Sequence, residues 1–265
     1  MHAHASASTS FELILAVPFL AALLGYAVGV LAQRRRGRRW PWYRSVSWSA
    51  GVVLASTGFV GPLATASHGD FVAHMWVHLL VGMAAPLFLV WGAPVTLALR
   101  SLHVVPARRL SRLLRARPVR FVTTPIVAAL LNVGGLWVLY MTPLYEAMQD
   151  NLLLHVVVMT HVLLAGFVFT AAIIPTDPTP HRAGFLHRAI VAVLAFAAHG
   201  VLAKTLYADP PVGVGAADAL LGSQVMFVGG DLVDIAIVTV LCAQWYRAAG
   251  RRAGLGVREG RRVVA

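Results

Sequence analysis

The sequence predicts an all-α protein, a polytopic bundle of seven transmembrane helices with its amino terminus outside the cytoplasm and its carboxyl terminus inside. Three observations favour this fold. Hydrophobic residues make up 58% of the 265 residues and charged residues only 12%, which is far from the balance of soluble proteins. Apolar runs long enough to cross about 30 Å of hydrocarbon as helices recur along the whole chain. Lys204 is the one exception among 22 Lys and Arg residues that otherwise share one side of a seven-span chain.

The predicted spans follow one another with short loops between them. The first has no basic segment before its apolar stretch and is followed by a dense arginine cluster, so we interpret it as an uncleaved anchor. Proline or paired glycine inside later spans predicts kinks at Pro62, Pro86, Pro94 and Gly229-Gly230,. The seven spans cover residues 11–32, 45–66, 72–99, 121–141, 152–174, 188–207 and 224–246.

The charges of the loops predict the orientation. Arginines follow the first, third, fifth and seventh spans, and the positive-inside rule places that side in the cytoplasm,. The opposite loops carry acidic residues and no arginine. The chain is therefore predicted to be a multi-pass protein of the cell membrane, with an extracytoplasmic tail (1–10), a transmembrane domain (11–246) and a basic cytoplasmic tail (247–265).

Several classes of protein are disfavoured. The net charge of +12 comes from short loops rather than from one basic face, which does not favour a nucleic-acid partner,. Cys242 is the only cysteine, so the chain has neither an intramolecular disulfide nor a Cys-x-x-Cys metal site,. We find no nucleophile motif, phosphate loop or reactive pair of carboxylates, and predict no enzyme.

Ionisable side chains inside the predicted spans are the main functional signal. Each is unfavourable in a bilayer by at least about 2.5 kcal/mol on insertion scales, and so needs a partner or a function. At 1.5 Å per residue they share a depth of roughly 5 to 15 Å below the outer boundary. They are His74, His78, His155, His161, His199, Asp231 and Asp234.

Residue spacing indicates which of these groups can act together. His74 and His78 are four residues apart, about 40° around a helix, so both rings can face one ligand. The same offset relates His155 to Met159, whereas His161 lies about 120° from His155 and need not share its metal. Imidazoles and thioethers without thiolates favour copper, especially Cu(I), with zinc as an alternative.

Some of these residues also have structural interpretations. Met159 can fill a gap in an apolar core. Asp231 and Asp234 can pair with Lys204 or orient a histidine without binding metal. The candidate metal ligands are His74, Met75, His78, His155, Met159, His161, His199 and Asp231.

Spaced motifs run through the third to sixth spans: His74-Met75-Trp76-Val77-His78, Ala85-Pro86-Leu87, Gly92, Pro94 and Arg100, then Tyr140-Met141-Thr142-Pro143-Leu144-Tyr145, His155, Met159-Thr160-His161, Gly166, Pro175, Asp177 and Pro178, and finally His199 and Tyr207. This pattern, over about residues 45–246, resembles the CtaG family of assembly factors for caa3-type cytochrome c oxidase. The resemblance implies a role in oxidase biogenesis through copper handling, with oxidase subunits as partners within the lipid bilayer.

The sequence leaves other functions open. Transmembrane histidines could ligate a b-type haem for electron transfer, or buried His and Asp groups could line a path for copper or protons. The cytoplasmic half of the bundle, however, is predicted to hold no matching set of buried polar residues, which disfavours a transporter. Whether the chain forms a homo-oligomer is also left open.

Overall fold

Every regular element that the structure describes is helical. In a computed structural model we describe the backbone of residues 2–179 and 182–263 and the side chains of residues 12–179 and 182–250. The side chains of the predicted outer tail (1–10), and most of those of the basic tail (247–265), therefore lie outside the described residues. The described ranges contain fourteen α-helices, two π-helical segments and no strand, which confirms the predicted all-α class.

The helices in chain order are α1 (His2–Arg35), α2 (Trp42–Ser56), α3 (Pro62–Ala66), α4 (Phe71–Val77), the first π segment (His78–Ala84), α5 (Ala85–Trp91), α6 (Pro94–Ser101), α7 (Val104–Leu114), α8 (Arg117–Val122), α9 (Pro125–Ala129), the second π segment (Leu130–Gly134), α10 (Gly135–Met141), α11 (Leu144–Asp150), α12 (Leu152–Ile173), α13 (Phe185–Ala208) and α14 (Ala216–Val263).

Five helical stretches are long and apolar enough to cross a membrane, which supports a multi-pass membrane protein. They are Glu12–Arg35, Phe71–Ser101, Leu152–Ile173, Phe185–Ala208 and Ala216–Gly250. A sixth is possible where two helices bent by 78° relative to each other, α9 to α10 and α11, count as one span. The remaining predicted span is interrupted after α2, whose 15 residues reach only about 22 Å,. The count of seven spans and the orientation of the termini stay predictions.

The stretch from α4 to α6 forms the centre of the bundle. In its most apolar window 56% of the residues are buried, against 6% for α1, which lies at the periphery. The central stretch contacts α2, α12 and α14, and α13 packs on α14. Two apolar clusters fill the spaces between these helices. A side chain on the central stretch can therefore meet side chains from several other helices.

Proline and glycine shape the central stretch largely as predicted. The chain breaks before Pro62 at Gly61, whose φ of 91° suits glycine, and before Pro94 at Ala93, whose φ is 50°,. Pro86 follows directly on the first π segment. At Gly229-Gly230, however, α14 continues without interruption.

The arginine-rich end of the bundle holds buried polar groups that the sequence analysis did not predict. The Asp177 carboxylate accepts hydrogen bonds from the backbone N–H groups of Val95 and Thr96 at 3.1 and 2.7 Å, which caps α6,. Arg188 is only 3% exposed and donates to the carbonyl of Ile173 at 2.6 Å. These two groups do not form a set that matches the buried histidines, and their contacts fix the loop between α12 and α13.

Candidate metal centre

Four of the predicted histidines are buried at the opposite end of the bundle, which we call the histidine end. His74 and His78 belong to the central stretch, His155 to α12 and His199 to α13. Their exposed fractions are 0%, 2%, 2% and 5%. Helices that are distant in sequence therefore bring imidazoles into one interior region.

His78 and His199 face each other and form what we call the inner pair. Their Nε2 atoms are 3.5 Å apart, and their ring planes differ by only 22°. Two metal–imidazole bonds of about 2.0 Å each would place the two nitrogens about 4 Å apart. A metal ion could thus replace the proton that the two nitrogens share if the rings moved apart by about half an ångström.

Local backbone features position the inner pair. His78 is the first residue of a π segment, and such segments, rare in proteins, occur often at functional sites. On the other side, a Cβ added to Gly230 would lie 2.7 Å from Cε1 of His199 and 3.1 Å from its Nδ1. Glycine at this position therefore leaves room for the His199 ring in its present orientation where α14 passes it.

A narrow cavity of about 20 Å³ adjoins the inner pair, with room for about one water molecule or ion,. Met83 and Asp234 also line it. Asp234 is 7% exposed, and its Oδ1 has no hydrogen-bond partner among the described side chains. Asp234 follows the buried residues Met226 and Gly230 at intervals of four, so all three lie on the buried face of α14,. The sequence analysis did not use this periodicity.

His74 lies between aromatic rings next to the inner pair. Its Nε2 is 3.1 Å from the Tyr140 hydroxyl, which in turn lies 4.0 Å from the sulfur of Met75. The His74 Nδ1 is buried and unpartnered within the described structure. When Nε2 carries the ring proton, this Nδ1 keeps a free lone pair that can bind a metal.

His155 contacts a histidine that the sequence analysis did not select. The His68 ring, from the loop between α3 and α4, packs against it with ring centroids 4.0 Å apart and ring planes tilted by 34°. We call His68 and His155 the outer pair. Partial burial lowers the pKa of His68 and favours its neutral ring. His68 escaped the sequence analysis because it precedes the third span, although it lies only six residues before His74.

His161 does not join these histidines. It is exposed on α12, and its Nε2 donates to the carbonyl oxygen of Leu131 in the second π segment at 3.1 Å. Gly135 allows this approach, since a Cβ there would lie 2.7 Å from the same nitrogen. The ring therefore bonds to an irregular stretch of backbone, and the structure places it apart from the predicted ligand set.

Replacement of His161 by alanine should weaken the fold without affecting metal binding. Loss of the hydrogen bond to Leu131 is expected to reduce the free energy of unfolding by about 1 kcal/mol. Thermal unfolding of the purified protein, followed by tryptophan fluorescence, would measure this change. A loss of copper from this variant at unchanged stability would contradict the assignment.

Two further predicted ligands lie elsewhere. Asp231 is exposed and borders a crevice between α13 and α14, outside the cavity that adjoins the inner pair. Lys204 lines the same crevice, with its ammonium 5.2 Å from the centre of the Phe227 ring. Met159 is 1% exposed and belongs to an apolar cluster. Asp234 rather than Asp231 is therefore the carboxylate that faces the histidines.

The described side chains contain no group of three or more His, Cys, Asp or Glu residues placed to hold one metal ion. The histidines instead form two pairs, with His74 close enough to His155 and His68 for electrostatic interaction. A pair of imidazoles suits a metal of low coordination number such as Cu(I), whereas structural zinc sites use four ligands.

The sequence was also compared with known proteins. The profile of a family described as cytochrome c oxidase caa3 assembly factor (Caa3_CtaG) matches residues 24–248. The chain belongs to this family. Both histidine pairs lie within the part that matches Caa3_CtaG.

Curated relatives extend the similarity to longer proteins. An uncharacterized protein of Mycobacterium leprae is 31% identical over 95% of this chain and 41% of its own length. One of Mycobacterium bovis is 32% identical over 89% of this chain and 39% of its own length. The Caa3_CtaG chain thus spans about two-fifths of the relatives that it matches. No solved structure matches it.

Proposed function

We propose that this protein is a membrane-embedded assembly factor for cytochrome c oxidase that holds Cu(I) between His78 and His199 and delivers it to an oxidase subunit. The observation that carries the proposal is the pair of buried Nε2 atoms 3.5 Å apart. Membership of the Caa3_CtaG family, described as an assembly factor of caa3 cytochrome c oxidase, supports an oxidase subunit as the partner.

The surroundings of the inner pair favour Cu(I) over the other candidates. Imidazole is a good copper ligand, and the thioether of Met83, a soft donor, lines the same cavity,. A haem between the two rings would need space for its macrocycle, which a cavity of about 20 Å³ does not offer. Zinc would need further ligands near the pair.

Delivery needs only ligand exchange. A donor imidazole on the oxidase subunit would bond to Cu(I) as His78 or His199 leaves it, and no electron is transferred. Because the pair is almost fully buried, bulk water and competing thiols have little access to the ion while it is held.

Copper binding can be tested with protein purified in mild detergent. We expect wild-type protein to take Cu(I) from a colorimetric Cu(I) chelator, and His199→Ala to bind it more than about 100-fold more weakly, beyond the 10- to 100-fold loss typical of residues that only orient a ligand. His187→Ala, which removes an exposed histidine near the start of the same helix, is the matched control.

Three results would contradict the proposal. Unchanged affinity in His199→Ala would remove the inner pair from the copper site. A Soret band in the purified protein would indicate haem. Normal copper content in an oxidase assembled with His199→Ala, in cells that lack the wild-type copy, would show that delivery does not pass through this pair.

A further inference from the structure

The outer pair combines features that packing alone does not explain. His155 is only 2% exposed, yet neither of its ring nitrogens has a hydrogen-bond partner within the described residues. A buried imidazole without partners loses hydrogen bonds to water that nothing in the protein replaces. The ring of His68 lies beside it, with the ring centroids 4.0 Å apart and the ring planes tilted by 34°.

His68 differs from the other histidines of the two pairs in its access to the surface. It is half-buried and lies in the loop between α3 and α4, whereas His155 is part of helix α12. The residues beside it are fixed, because Asp70 caps α4 by accepting from the N–H groups of Val72 and Ala73 at 2.8 and 3.1 Å,. The backbone that follows His68 is therefore held in place, and its half-buried ring is the part of the outer pair that is accessible from the surface.

We propose that His68 and His155 form a second, outer Cu(I) site, through which the ion reaches and leaves the inner pair. This inference rests on the proposed function and adds to it the route of exchange. His68 would be the ligand that contacts the donor or acceptor, and His155 the ligand that draws the ion into the bundle.

We assign the connection between the two pairs to His74, because it is close enough to His155 and His68 on one side and to His78 on the other for electrostatic interaction. Its ring is 5.1 Å from that of Tyr145 and 6.0 Å from that of Tyr140, and the Tyr140 ring is 6.5 Å from that of His78. The unpartnered Nδ1 of His74 is a vacant donor within this region. Cu(I) would advance by ligand exchange, with one copper–nitrogen bond forming as another breaks and with every imidazole neutral before and after the step.

A purely structural role for His68 predicts a different outcome. As a cover, the ring would shield His155 from water by stacking, and any flat ring of similar size would do the same. Phenylalanine at position 68 keeps a ring that can stack but has no nitrogen to bind copper. His68→Phe therefore separates a ligand from a cover.

The experiment compares four proteins in nanodiscs: wild type, His68→Phe, His199→Ala and, as control, His103→Phe, which changes an exposed histidine at the other end of the bundle. Bound Cu(I) per protein is counted, and its transfer to a chelator is followed by stopped flow. We expect His68→Phe to lose one of two copper ions and to release the other about tenfold more slowly, which corresponds to an activation barrier for exchange that is higher by about 1.4 kcal/mol. His199→Ala should keep one ion with fast release, and His103→Phe should match wild type.

The possible results distinguish the two proposals. Wild-type stoichiometry and release rate in His68→Phe, together with loss of an ion in His199→Ala, would overturn the outer site and leave the inner pair intact. Absence of bound Cu(I) in the wild type would overturn the proposed function itself. If His68→Phe loses copper and also has a lowered unfolding temperature, the variant His68→Gln decides the matter, because it has a polar side chain but no imidazole. Binding of both ions by His68→Gln would reject His68 as a ligand.

Discussion

Replacement of Gly166 by alanine is expected to prevent the bundle from reaching its native fold. A Cβ at this position would clash with the carbonyl oxygen of Gly82 and lie 3.0 Å from Cγ of Pro86. Pro86 has no N–H, so it cannot bond back to the carbonyl four residues earlier, which is that of Gly82. The close contact between α12 and the central stretch occurs at this irregular backbone.

The steric conflict cannot be relieved by rotation of a side chain, because the atom in the way belongs to the backbone. Separation of α12 from the central stretch would open the core between them, and overpacking of this kind is unfavourable by about 3 kcal/mol or more. That is a large share of a typical stability of roughly 5 to 15 kcal/mol. We expect a strong loss of folded, monodisperse protein after extraction in mild detergent.

Gly134→Ala is the matched control, since a Cβ there meets no described atom within 4 Å. It makes the same chemical change inside a membrane helix and should leave the yield and the unfolding temperature near those of the wild type. If Gly166→Ala gives a comparable yield, the contact between Gly166 and the Gly82 carbonyl is not essential to the fold.

Features that depend on composition and on the length and periodicity of apolar segments could be predicted from the sequence. Apolar runs of membrane length predicted the helices of the central stretch, α12 and α13, and the burial of His74, His78, His155 and His199 followed from the penalty on idle ionisable groups in lipid. The start of α14 at Ala216 was missed because residues 216–223 carry no long apolar run.

Other features depend on local geometry that periodicity does not encode. The π segments shift the helical register, and this shift could not be predicted from the geometry of a regular helix. The hydrogen bond between His161 and the carbonyl of Leu131, which separates His161 from the other histidines, was therefore missed,. His68 was missed because the argument from membrane burial applies only inside a span. The choice of Asp234 over Asp231 needed the direction of the buried stripe on α14 rather than depth alone,.

The second large effect is expected from Gly230→Ala, which should weaken copper binding while it preserves the fold. The added Cβ would lie 2.7 Å from Cε1 of His199, at the end of a side chain that can rotate away. Helix α14 can therefore accept the added methyl group, but the His199 ring has to move. Any rotation that relieves the contact moves Nε2 out of line with the His78 Nε2, now 3.5 Å away.

Gly230→Ala thereby tests the geometry of the inner pair without removing any ligand. We expect the affinity for Cu(I) to fall by about 10- to 100-fold, as for residues that orient metal ligands, with the unfolding temperature near that of the wild type. Gly229→Ala is the neighbouring control, because its Cβ would meet the flexible end of Leu79 and neither histidine. Equal copper affinity in the two variants would mean that the ion does not depend on the alignment of His78 with His199, and the copper site would then have to be sought at the other imidazoles of the histidine end.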